Sequence, residues 1–103
     1  MASEEMFTVQ FPAWYDELAE TEMYNKGHLT GCVVQLADGR RYPVAFMDSV
    51  HAREEAHERF EQGYACLTEP GLVIVPEVTK EAIQRAVAHL VQSGFFDHLQ
   101  PLS

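Results

Sequence analysis

Basic residues are scarce in this chain: seven lysines and arginines stand against 16 aspartates and glutamates, a formal charge of −9. Nucleic-acid binding needs a basic surface that displaces counterions, so the charge balance argues against that class of partner. Long apolar runs are missing too. No stretch reaches the roughly 18 residues that a membrane helix requires, which argues against a membrane partner. The start, Met1-Ala2-Ser3-Glu4-Glu5, is acidic where a secretory leader would be basic. These features predict a soluble, cytoplasmic protein. There are only two cysteines, Cys32 and Cys66, each inside an apolar stretch. They lack zinc spacing and predict two buried thiols rather than a disulfide. None of the six glycines forms a phosphate-binding run ahead of a helix. No motif implies a cofactor or a metal.

What is present suits one domain spanning residues 1–103. Hydrophobic residues make up 47 % of the chain and charged residues 22 %, enough to build a core without disulfides. Phe7, Val9 and Phe11 alternate with Thr8 and Gln10 and predict a strand, which Pro12 stops. Trp14 to Tyr24 reads as a helix with Trp14 and Leu18, and Tyr15 as a further candidate, turned inward, ending at Asn25-Lys26-Gly27.

From Leu29 to Met47 the pattern predicts a β-hairpin. A loop of Ala37-Asp38-Gly39, with Gly39 left-handed in a bulge, places Tyr42, Val44 and Phe46 on one face with Val34, Cys32 and Thr30. The opposite face then carries Gly31, Val33, Pro43 and Ala45, small enough for a helix to approach closely. Pro43 cannot donate to a ladder and predicts an edge or an irregularity there.

Asp48 or Ser49 caps a second helix, which runs to about Gln62 and stops at Gly63. At about 100° per residue, Val50, Arg53, His57 and Phe60 share one side, expected to face the sheet. His51, Glu54, Glu58 and Glu61 then face solvent. Tyr64 to Thr68 and Leu72 to Val75 read as a second hairpin around the turn Glu69-Pro70-Gly71. The run Leu72-Val73-Ile74-Val75 is apolar on both faces and predicts the most buried strand. Thr79 caps a last helix, with Val78 and Ile83 placed as a staple and Ile83, Ala86, Val87, Leu90 and Val91 as its apolar stripe. The fold class is therefore α+β: a mainly antiparallel sheet of two hairpins, in the order β-α-β-β-α-β-β-α, with helices mostly on one face.

Candidate chemistry is sparse. Glu54-x-x-His57 has the spacing of di-iron bundle motifs, but such a site needs a second copy and further glutamates on facing helices. His51 and His57 are six residues apart, not the four of a zinc-protease helix. Asp48, Ser49 and His51 hold the residue types of a triad without its spacing, and capping accounts for the first two.

Two functional readings follow. The first is a non-enzymatic interaction or accessory module that offers an acidic face to a basic protein surface. Its contacts would be Tyr15, Asp16, Glu20 and Tyr24 on the first helix, and Glu54 and Glu58 on the second. The second is a ligand pocket, or a minor enzyme, between sheet and second helix, built from Arg53, His57, Tyr42 and Tyr64. A homodimer through the Pro43 edge or the Phe95-Phe96-Leu99 tail is a further expectation.

Overall fold

The computed structural model describes residues 7–69 and 71–102. Four strands form one sheet in the spatial order β1 (Phe7–Gln10), β2 (His28–Leu36), β3 (Arg41–Asp48), β4 (Leu72–Val75). Three helices connect or cover them: α1 (Glu17–Lys26), α2 (Ser49–Glu61) and α3 (Lys80–Gln92). A 3₁₀ turn, Phe95–His98, follows α3. The class is α+β and the sheet is mainly antiparallel, as the pattern of the chain indicates. No helix among the described residues is long and apolar enough to cross a membrane.

The central hairpin closes as expected. Gly39 has φ +95°, its N–H donates to the Leu36 carbonyl at 2.9 Å, and Leu36 N–H donates to the Arg40 carbonyl at 2.8 Å. Val34 lies opposite Tyr42 and Cys32 opposite Val44. Beyond them the register shifts, and Phe46 lies opposite Leu29 rather than Thr30. An extra residue at Thr30-Gly31, with Gly31 at φ +85°, makes the bulge. Its effect is to turn Leu29 into the core (1 % exposed) and leave Thr30 in solvent. Gly31 is the residue that makes this bend cheap, because a side chain resists positive φ.

The bulge completes a face of Phe7, Val9, Cys32, Val34, Tyr42, Val44 and Phe46, on which Ile83 and Val87 of α3 pack. Tyr15 and Ala19 reach the same core from the α1 side. Asp16 caps α1, accepting from Ala19 N–H at 2.9 Å, so the helix starts later than the sequence suggested. The turn from Tyr15 to Ala19 to Met23 is then the inward side. Trp14 and Leu18 fall outside it and are 53 % and 73 % exposed, which corrects the expectation that they are buried.

The second hairpin does not form. Residues 64–69 make no strand, and β4 pairs in parallel with β3, Ala45 opposite Leu72 and Asp48 opposite Val75. Parallel neighbours need a crossover of a dozen or more residues, and α2 with its following loop supplies it. Pro70 lies outside the described residues; beside it, Gly71 has φ +73° and Leu72 N–H donates to the Glu69 carbonyl at 3.1 Å. Pro43 sits where β3 has not yet met β4, so its strand is an edge there and interior from Ala45 onward.

β4 corrects a second expectation. It is an edge strand, not the most buried one: Val75 is 2 % exposed but Ile74 is 49 % exposed. The C-terminal segment closes the other end of the core. Phe96 is buried against Tyr42, ring centroids 4.9 Å apart, while Phe95 stays 43 % exposed. Arg40 ties the hairpin loop to this turn, reaching Asp38 at 2.7 Å and Asp97 at 3.1 Å.

Cys32 is buried and Cys66 exposed, so the chain holds two unlike thiols rather than two buried ones. Burial pushes the Cys32 thiol up to about 11, which keeps it protonated and inert at neutral pH. We expect one thiol per chain to react with a chromogenic disulfide in native protein and the second only after denaturant is added. Equal native reactivity at both would contradict this packing.

Candidate interaction surface

α2 is positioned by its cap. Asp48 ends β3 and accepts from His51 N–H at 2.8 Å, and its carboxylate also meets His51 Nδ1 at 2.9 Å. Partial burial raises the Asp48 carboxyl, but the hydrogen bonds from His51 backbone and ring outweigh it and hold the group below its ordinary value. The same two side chains lie over Gly27, whose φ is +70° and whose carbonyl accepts from Asp48 N–H at 2.9 Å. A Cβ on Gly27 would collide with both. The end of α1 and the start of α2 are thereby fastened at one point. The sequence signal was Asp48-x-x-His51, in which a histidine takes the third helical position that a capping box gives to Glu or Gln.

From that joint α2 runs along the face of the sheet opposite α1 and α3. It lies against β3 and β4, where Ala45 and Met47 are buried outside the main core. His51, Ala52, Glu55, Ala56 and Arg59 are half-buried and form its inner side. This inverts the expected orientation: Val50, Arg53, His57 and Phe60 are exposed, on the outer side with Glu54, Glu58 and Glu61. Periodicity identified the stripe, but the helix turns the side that holds Ala52 and Ala56 toward the sheet.

No residue of α2 is buried. Val50 is 62 % and Phe60 52 % exposed, and Tyr64, just past the helix, is 58 % exposed. The shallow depression on this side is lined by Val50, Arg53, Glu54, Ala56, His57 and Phe60. His57 Nε2 lies 3.1 Å from Glu61 in open solvent, and the Arg59 guanidinium stands 5.7 Å from the centre of the Tyr64 ring.

The expected site residues are therefore redistributed. Glu54 and Glu58 share the outer side of α2 with Arg53 and His57. Tyr42 is 2 % exposed on the opposite sheet face, so the four residues of the expected ligand pocket do not meet. On α1, Tyr15 is buried and stacks on Phe11 at 5.0 Å, with Lys80 Nζ 5.6 Å from its ring centre. Asp16 is exposed, Glu20 half-buried and Tyr24 48 % exposed, on the other side of the sheet from Glu54 and Glu58. The two acidic segments are thus separate surfaces. Among the described residues no group of three or more His, Cys, Asp or Glu could hold a metal ion.

A second, narrower cleft lies beside the α2 cap. It has a volume of about 420 Å³ and is lined by Lys26, His28, Met47, His51, Glu54, Glu55 and Glu58. His28 Nε2 is buried without a hydrogen-bond partner, 3.8 Å from the Glu69 carboxylate. Sequence reasoning did not find this cleft, because it joins residues from four separate elements. Comparison of the chain with protein-family models, with curated proteins and with solved structures gives no match.

Two outcomes test the joint. Gly27→Ala and Gly39→Ala both force alanine into left-handed backbone, at about 1–2 kcal/mol. Gly39 has open space around it, so Gly27→Ala should cost clearly more in urea unfolding. The lowered Asp48 carboxyl contributes stability that is present above its unfolded value, about pH 4. That contribution is lost as the pH falls through the lower folded value. Asp48→Asn keeps a good cap, so its urea midpoint should depend less on acid than that of the native protein.

Proposed function

We propose that this chain is a protein-interaction module that binds a basic protein surface through the outer side of α2. One observation carries the reading: a 13-residue helix with no buried residue displays Val50 and Phe60 beside Glu54, Glu58 and Glu61. Apolar anchors within a polar rim are the anatomy of a binding surface, in which a few large side chains supply most of the affinity. The formal charge of −9 supports a basic partner, since opposite charge speeds encounter and disfavours wrong partners. Tyr24 with Asp16 and Glu20 offers a second acidic surface on α1, where Leu18 and the preceding Trp14 are also exposed.

The immobilised chain should capture a basic protein whose binding weakens steeply with salt, because exposed charges are screened beyond about 8 Å at physiological ionic strength. Phe60→Ala should weaken that binding by about 1–2 kcal/mol. The double reversal Glu54→Lys/Glu58→Lys should reduce the association rate and flatten the salt dependence. All three positions are exposed, so unfolding midpoints should stay within about 0.5 kcal/mol of the native protein. Capture unaffected by either variant would place the contact elsewhere.

A further inference from the structure

The edge of β4 carries a contradiction between sequence and place. Leu72-Val73-Ile74-Val75 has no charge, no proline and no bulge, three of the devices that protect an edge strand, and only its length of four residues limits pairing. It has the composition of a strand paired on both sides. Yet among the described residues it pairs only with β3, and Ile74 is 49 % exposed. Its hydrogen-bonding direction follows from the ladder. Ala45 N–H donates to the Gly71 carbonyl at 3.0 Å, so the odd-numbered residues of β4 face β3. The alternation leaves Ile74 N–H and the carbonyls of Leu72 and Ile74 directed away from the sheet. Beside this edge runs a groove of about 340 Å³, formed by Val73, Ile74, Ala82, Ala86, His89 and Leu90.

We infer that β4 pairs antiparallel with β4 of a second copy of this chain, joining two four-stranded sheets across a two-fold axis at Val73. In that register Ile74 N–H of each copy donates to the Leu72 carbonyl of the other. Leu72 lies opposite Ile74 on one face of the joined sheet, and the two Val73 side chains meet on the other. The α3 helices flank the axis, and Ala82 and Ala86, one turn apart, let them come close. A centre at Ile74 instead would set Leu72 opposite Pro76, which has no N–H to give.

Charge selects a second copy as the occupant. Across residues 71–92 two acids, Glu77 and Glu81, balance two bases, Lys80 and Arg85, against −9 for the whole chain. Copies of an acidic protein repel over most of their surfaces and least at this one. A basic partner is drawn to the acidic sides of α1 and α2, not to a neutral edge. The contact is isologous, so one apolar strand serves as both halves. It is also distinct from the outer side of α2, so either surface can fail without the other.

Sedimentation equilibrium of the full chain tests this. The expected result is a reversible dimer with twice the chain mass. Hydrogen exchange should show the Ile74 amide becoming more protected as protein concentration rises. Ile74→Pro removes an outward N–H without touching the β3 ladder, and Ile74→Lys places a charge on the edge. Each should raise the dimer dissociation constant about ten- to hundredfold, two ladder hydrogen bonds being lost at once by symmetry in the first. Circular dichroism and unfolding midpoints identify any variant that fails to fold, and the exchange measurement needs no variant. A chain that stays monomeric at all concentrations overturns the inference. So does a dimer that both folded variants leave intact, or an Ile74 amide whose exchange ignores concentration. Saturable pairing of the edge with an unrelated extended peptide, in place of self-association, also overturns it.

Discussion

The pairing of β2 with β3, and the single extra residue within it, decides how every other element is placed. Before the bulge, Cys32 and Val34 face Val44 and Tyr42 across the ladder; after it, Leu29 rather than Thr30 meets Phe46. Without that slip the alternation would turn a hydroxyl toward the core and leucine toward water. With it, one face of the sheet is apolar and accepts α3, while the other carries Ala45, Met47, Leu72 and Ile74. Phe96 then seals the apolar face over Tyr42, and Arg40 holds the sealing turn to the hairpin loop. The hairpin is therefore both the scaffold and the sorting device.

α2 lies over Ala45 and Met47 with Ala52 and Ala56 facing inward, while the larger Val50 and Phe60 face out. The contact is thin, since none of the helix is buried, and the Asp48–His51–Gly27 joint carries much of its positioning. The surface proposed for binding is the side of α2 that the sheet leaves uncovered. The acids of α1 and those of α2 belong to helices on opposite faces of the sheet.

β4 follows from the crossover. α2 takes the chain back over the sheet, and the next strand runs parallel to β3 and pairs with its free edge. No later strand among the described residues covers it, because the chain turns into α3 and then into Phe95–His98. An apolar strand thus stands at an edge, and that is the physical tension which the proposed dimer would relieve.

How much of this was legible in the sequence varied with the range of the interaction. The loop at Gly39, a cap at Asp48 or Ser49 (it is Asp48), the cap at Thr79, the burial of Val78 and Ile83 and the α+β class were all readable, because each depends on residues within a few positions of one another. The candidate surface was half legible: periodicity grouped Val50, Arg53, His57 and Phe60 correctly, yet could not say which side of the helix meets the sheet. Trp14 and Leu18, Cys66 and the missing second hairpin were misplaced for the same reason, and so was the grouping of Tyr42, rightly set on the hairpin face, with Arg53 and His57 in one pocket. Local pattern determines which side chains share a face and where helices and turns begin. Which face is covered, and by what, depends on packing between segments far apart in the chain, and here the slip at Gly31 set which side chains reach the core.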